Sequence, residues 1–117
     1  MRLLVCGGRS YGGNAQEVQA LYNAIAALKP TVIIHGGATG ADQLADKWAK
    51  RRGVPVEMYV AQWRLYGASA GPRRNLQMLE EGKPDLVLAA PGGAGTADMV
   101  RKALAAGLVV KYVREER

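Results

Sequence analysis

Short apolar runs alternate with stretches whose apolar residues recur every three or four positions, and glycine or proline marks nearly every change of pattern. Residues 3–6 predict a first strand that stops at Gly7-Gly8. From Asn14, a residue suited to capping a helix, Val18, Leu21, Tyr22, Ile25 and Leu28 repeat at helical spacing until Lys29-Pro30 ends the pattern. Residues 32–35 read as a second strand closed by Gly36-Gly37. A second helix covers 42–52, with Leu44, Ala45, Trp48 and Ala49 inward and Asp46, Lys47, Lys50 and Arg51 outward. A third strand over 54–60 leads into a longer loop through Trp63, Tyr66, Gly67 and Gly71. Pro72 suits the first position of a third helix bearing Leu76, Met78 and Leu79. A fourth strand over 85–90 is followed by a helix with Met99, Val100, Ala103 and Leu104 inward, and by a last strand over 108–113.

Strict alternation of strands and helices with short connections implies right-handed strand–helix–strand units and a parallel sheet. Runs one, two and four are uninterrupted, as expected of central strands covered on both faces. In run three Glu57 and Tyr59 alternate with apolar residues, and Lys111 interrupts run five, so both read as edges. The doubly wound order 3-2-1-4-5 satisfies this pattern. The expected fold is therefore α/β: one Rossmann-like three-layer domain over 1–113 with a five-stranded parallel sheet, and a short frayed tail at 114–117. Its switch point lies between strands one and four. The loops after Cys6 and Ala90 then meet, with the loop after His35 beside them.

Composition removes several classes. One Cys and one His leave no disulfide framework and no Cys- or His-based metal centre. No apolar run approaches the ~20 residues of a membrane span, and the start of the chain lacks a secretory pattern, so a cytoplasmic protein without membrane partners is expected. Glycine changes the picture most: 15 of 117 residues, about twice the usual share of about 7%. Gly53, Gly82 and Gly107 each sit between a helix and a strand, where a left-handed residue is wanted. Most of the others fall in GGRSYGG (7–13), HGGATGAD (35–42) and PGGAGTAD (91–98), the three loops the topology gathers.

Glycine at a strand–helix junction lets the backbone approach an anion, and the free N–H groups of the helix start hold phosphate. No GxGxxG and no P-loop ending in GK[ST] is present, which disfavours hydride-transfer dehydrogenases and P-loop NTPases. Candidate ligand-binding residues are Gly7, Gly8, Arg9, Ser10, Gly36, Gly37, Ala38, Thr39, Gly40, Asp42, Arg73, Arg74, Asn75, Pro91, Gly92, Gly93, Gly95 and Thr96. Arginine grips phosphate through two hydrogen bonds, so Arg9 and Arg74 are preferred to the lysines; Arg73 reads equally as a surface residue. Asp42 and Asp98 sit at helix starts, as caps, as acceptors for a ribose hydroxyl or as catalytic carboxylates. Thr39 and Thr96 read first as caps and then as phosphate ligands. His35 and Cys6 read as buried structural residues at least as well as catalytic ones, and Trp63 and Tyr66 as stacking partners for a base or as covers for apolar surface.

At VCGGRSY, IIHGGATGADQLADKWA, AGPRRNLQML and LVLAAPGGAGTADMVRKA the chain resembles the YspA-like, cpYpsA-related branch of the SLOG superfamily, found in bacteria and phages. The resemblance implies a Rossmann-like fold, a nucleotide or nucleotide-derived ligand such as an ADP-ribose-like, NAD-like or nucleoside phosphate molecule, no required cofactor, and a homo-oligomer built on the apolar faces of the third and fourth helices. The superfamily includes the LOG phosphoribohydrolases, which cleave the N-glycosidic bond of nucleoside monophosphates, and the DNA-binding protein DprA. The LOG pattern PGGxGTxxE falls on Pro91, Gly92, Gly93, Gly95 and Thr96, and Arg74 matches its catalytic arginine, but its glutamate position holds Met99. Three readings follow: a nucleotide-binding module; a hydrolase working through Asp42, Arg74 and Asp98; and, from the net charge of +6, a single-stranded nucleic-acid binder. The basic residues Lys47, Lys50, Arg51, Arg52, Arg101 and Lys102 are dispersed, which weighs against the third.

Overall fold

A computed structural model of the protein describes residues 1–114; the end of the expected tail, 115–117, lies outside the described residues. Five parallel strands, β1 (Arg2–Cys6), β2 (Val32–His35), β3 (Val56–Met58), β4 (Leu86–Ala89) and β5 (Val110–Tyr112), form one sheet in the order β3-β2-β1-β4-β5. Their register pairs Leu4 with Ile34 on one side and with Val87 on the other. The helices are α1 (Ala15–Leu28), α2 (Ala41–Arg52), α3 (Trp63–Tyr66), α4 (Ala70–Gly82) and α5 (Ala94–Ala105). The doubly wound architecture expected from the run pattern is thus the fold, with β3 and β5 at the edges.

Alternation along the central strands divides the core into two layers. Leu3, Val5, Ile33 and Leu88 meet Leu21 and Ile25 of α1 and Trp48 of α2. Leu4, Cys6, Ile34 and Val87 meet Met78 of α4 and Met99 and Ala103 of α5. Both faces of β1 are fully buried, which is why its sequence is apolar without a break.

Several local expectations change. The third strand pairs only over Val56–Met58, and the following loop contains the single turn α3 and a 3₁₀ turn at Gly67–Ser69. The next helix starts at Ala70, so Pro72 is its third residue; first-turn N–H groups have no partner within the helix, so proline is harmless there. Leu104 was expected inward but is 55% exposed, because it lies about 140° around the helix from Met99. On α4, Leu76 is likewise exposed. Gly53 (φ +70°) and Gly107 (φ +81°) are left-handed, whereas after α4 that conformation falls on Lys83 (φ +46°). Gly82 is buried against Ile34, where a Cβ would make ordinary contact at 3.4 Å, and its carbonyl accepts hydrogen bonds from the Arg2 guanidinium.

Candidate functional site

The three glycine loops pack onto one another at the carboxyl ends of β1, β2 and β4. Gly8 N–H donates to the Pro91 carbonyl (2.9 Å), Ala41 N–H donates to the Gly8 carbonyl (3.3 Å), and Thr39 Oγ1 donates to the Arg9 carbonyl (3.1 Å). Such contacts need bare Cα atoms. A Cβ at Gly7 would stand 2.6 Å from the Ala41 methyl and 2.7 Å from that of Ala90, and one at Gly40 (φ +77°) would collide with the Gly8 carbonyl oxygen.

Over this platform lies a cavity of about 520 Å³, closed on the far side by α4 and the Trp63 turn. Gly7, Gly8, Arg9, Ala38, Asp42, Arg74, Asn75, Gly93, Gly95, Thr96 and Asp98 from the sequence reading line it. Ser10, Pro91 and Gly92 instead line an adjoining groove, and Gly36, Gly37 and Thr39 a smaller recess. Gly40 and Arg73 line none of the three; Gly40 is a packing residue, and Arg73 lies over the Tyr66 ring at 4.2 Å. Tyr66 therefore covers α4 surface, while Trp63 borders the cavity with the Arg9 guanidinium 5.5 Å from its ring centre.

α5 begins against the cavity wall without a side-chain cap: Gly93 occupies the cap position and no acidic residue stands in the first turn. Cβ atoms at Gly93 and Gly95 would meet nothing within 4 Å, and neither residue has a positive φ. Thr39 and Thr96 do not cap helices; the cap positions belong to Gly40 and Gly93.

Two arginines bring positive charge. Arg74 Nη1 donates to the Gly36 carbonyl (2.6 Å) and Nε to Asn75 Oδ1 (3.0 Å). Burial lowers the Arg74 pKa, Asp42 works the other way, and the Arg9 charge lowers it further. Asn75, 4% exposed, links this arginine to α5 by donating to the Gly95 carbonyl (3.2 Å) and to Asp98 Oδ2 (3.0 Å).

The two candidate aspartates differ. Asp42 Oδ2 accepts from Gly36 N–H (3.1 Å) and Ala38 N–H (3.2 Å), so it ties down the loop before its helix rather than capping the helix. Burial raises its pKa, while the Ala38 hydrogen bond and the electrostatic influence of His35 and Arg74 work the other way. Asp98 is held by Arg101 (2.5 Å), Lys102 (2.6 Å) and Asn75. Burial raises its pKa, but the Lys102 and Asn75 hydrogen bonds and the Lys102 and Arg101 charges outweigh that and hold it below the ordinary value.

Other candidates for chemistry are engaged or silent. His35 Nδ1 accepts from Gly37 N–H (3.0 Å) and Nε2 meets Asp46 Oδ1 (2.9 Å), which makes it a structural link between β2 and α2. The Cys6 thiol is pushed up to about 12 by burial and by Asp42, so it stays protonated and is no nucleophile at neutral pH. Met99 sits fully buried in the cavity floor beside Met78, Cys6 and Val5. Among the described residues there is no cluster able to hold a metal ion, and no helix is long and apolar enough to cross a membrane.

Glu17 was absent from the candidate set. Its N–H donates to Asn14 Oδ1 (2.8 Å), and its Oε1 accepts from Gly12 (3.0 Å) and Gly13 (3.1 Å) N–H groups while the residue lines the adjoining groove. The signal was present as Asn14-x-x-Glu17, a capping-box spacing directly after two glycines.

Comparison with known proteins agrees with this architecture. The crystal structure of TM1055, a structural-genomics target, shares the fold with a TM-score of 0.71 at 18% identity, covering 93% of this chain and 71% of that one. The Gene 61 protein of Mycobacterium phage D29 is 36% identical over 117 residues, covering 93% of each chain. Residues 1–66, which carry the first two glycine loops, match the YspA, cpYpsA-related SLOG family. The chain belongs to that family.

Proposed function

We propose that this protein binds a nucleotide or nucleotide-derived ligand, of the nucleoside phosphate or ADP-ribose/NAD-like class, in the cavity at the carboxyl ends of β1 and β4. The observation that carries the reading is the pair Gly93 and Gly95. A methyl group at either place would touch no atom and neither has a positive φ; Gly93 stands at the cap of α5, a position glycine commonly fills, whereas Gly95, inside the helix, has no reason in the fold to be glycine. Bare backbone at an uncapped helix start, facing a cavity that also receives Arg9 and Arg74, suits an anionic group that comes up against the main chain. SLOG membership supports nucleotide-related binding or processing in general terms.

Within this reading Arg74 and the α5 N–H groups hold phosphate and Asp42 accepts a ribose hydroxyl. The apolar floor of Val5, Cys6, Met78 and Met99, rimmed by Trp63, receives the base. Asp42 also supports a turnover reading, since a carboxyl of raised pKa beside an arginine can donate a proton. Asp98 is less suited to that task, because three partners already hold it. A nucleic-acid surface has less support: Lys50 is paired with Asp46, Arg52 lies over Trp48, Arg2 is paired with Glu57, and Arg101 and Lys102 are spent on Asp98.

Calorimetric titration with AMP, GTP, NAD, ADP-ribose and a single-stranded oligonucleotide, with chromatography of each mixture, tests the proposal. Saturable binding of a small nucleotide at one site per chain is expected, weakened about tenfold or more by Arg74→Ala. Released base or phosphate moves the reading to the hydrolase. Binding of the oligonucleotide alone, or an affinity indifferent to Arg74→Ala, overturns it.

A further inference from the structure

A second concavity adjoins the nucleotide cavity. It is an open groove of about 620 Å³ lined by Ser10, Tyr11, Glu17, Pro91 and Gly92, and it shares Gly8, Arg9 and Gly93 with the main cavity as a common wall. Each lobe alone falls within the range of about 300–1,000 Å³ of ordinary small-ligand sites. We infer that the groove receives an uncharged, hydroxyl-rich group joined through a diphosphate to the nucleoside in the cavity, so that this protein selects nucleoside diphosphate sugars of the ADP-ribose kind over nucleoside mono- and triphosphates. The inference rests on the nucleotide reading of the main cavity.

Three features carry it. The shared wall is where positive charge and bare backbone coincide: Arg9 borders both lobes, and Gly93 offers no side chain to obstruct a ligand crossing between them. A bridging diphosphate matches that wall. Beyond it the chemistry reverses, since Glu17 stands in the groove with its Oε1 taken by two backbone N–H groups and its second carboxylate oxygen without a hydrogen bond among the described residues. A carboxylate at that point accepts from hydroxyls, and like-charge repulsion opposes a third phosphate. The Ser10 hydroxyl lining the same groove can donate or accept, as a sugar requires. A ligand confined to the main cavity would gain nothing from these groups.

Calorimetry on the 117-residue chain with AMP, ADP, ADP-ribose and ATP, in EDTA to remove metal ions, tests this. ADP-ribose is expected to bind about tenfold tighter than ADP, and ATP about tenfold weaker than ADP. Glu17→Gln keeps the Oε1 acceptor for Gly12 and Gly13 while removing the charge, and is expected to bring ATP to within about twofold of ADP. Circular dichroism of the variant checks that the loop change has not unfolded the chain. ADP-ribose no tighter than ADP, or ATP as tight as ADP in the unmodified chain, overturns the groove assignment while AMP binding keeps the cavity reading. Failure of all four ligands overturns the cavity reading and the groove with it.

Discussion

HGGATGAD after β2 and PGGAGTAD after β4 carry nearly the same letters, each turning a strand into a helix and ending on a buried aspartate. In the first loop glycine is there for the fold. Gly37 (φ +73°) and Gly40 (φ +77°) are left-handed, Gly36 lies under the Arg74 guanidinium, and Gly40 lies on the Gly8 carbonyl. In the second, Gly92 is packed against Gly8 and Thr96, but a Cβ at Gly93 or Gly95 would touch nothing and neither has a positive φ. The aspartates divide the other way: Asp42 keeps a carboxylate at the cavity with a raised pKa, while Asp98 is joined to α4 by Asn75 and held within α5 by Arg101 and Lys102. Similar sequence therefore gives one loop a packed backbone and an available carboxylate, and the other an open backbone and an occupied one.

The sharpest way to break this contrast is Gly40→Ala. A methyl group there meets a backbone oxygen, and the residue would hold a left-handed φ, so unfolding in urea should show a loss of about 3 kcal/mol. Gly95→Ala should do the reverse. Within α5 it replaces glycine by the best helix former in open space, so the same measurement should show a gain of about 0.5–1 kcal/mol while nucleotide affinity falls. Equal losses at the two positions would abolish the distinction between loops.

The aspartates supply a pH-resolved test. Asp98→Asn should cost about 1–2 kcal/mol at neutral pH, since it discharges a group held by two cations. Because the folded-state pKa of Asp98 is lowered, its contribution is present above the unfolded value of about 3.9 and is lost as pH falls through the lower folded value, so the variant's deficit should close only in strong acid. For Asp42 the sign is opposite. Its raised folded pKa makes the ionised form a cost above that pKa, so Asp42→Asn should gain stability at neutral pH, by less than the Asp98 variant loses. That gain should shrink as pH falls below the raised value and vanish below the unfolded value of about 3.9. Thermal melts of both variants from neutral pH into acid would show the opposite trends; parallel ones would sink the assignment.

Much of the fold was legible one residue at a time. The unbroken runs of β1, β2 and β4 and the interrupted β3 and β5 set the strand order, because burial on both faces leaves no room for polar residues in a central strand. Asn14 marked the start of α1, and its side chain does accept from the Glu17 N–H. Glycine-rich composition at three junctions marked the corner of the molecule where the cavity lies. Less could be read where neighbours decide. After α4 the left-handed φ falls on Lys83 and not on Gly82, although glycine is the residue that conformation favours.

The sequence by itself determined the architecture and the corner at which the glycine loops meet, because hydrophobic periodicity and glycine placement act over a few residues and carry their own physical meaning. The tertiary structure alone decided which aspartate is spent, which glycines are bare for the fold's sake and which are not, and that Arg9 forms the wall between two concavities. Each of those depends on what a remote segment brings to the residue: Arg74 and Gly36 lie 38 positions apart, and Asn75 and Asp98 lie 23 apart. Charge, burial and open space at a side chain are properties of its neighbours, and only the folded chain supplies them.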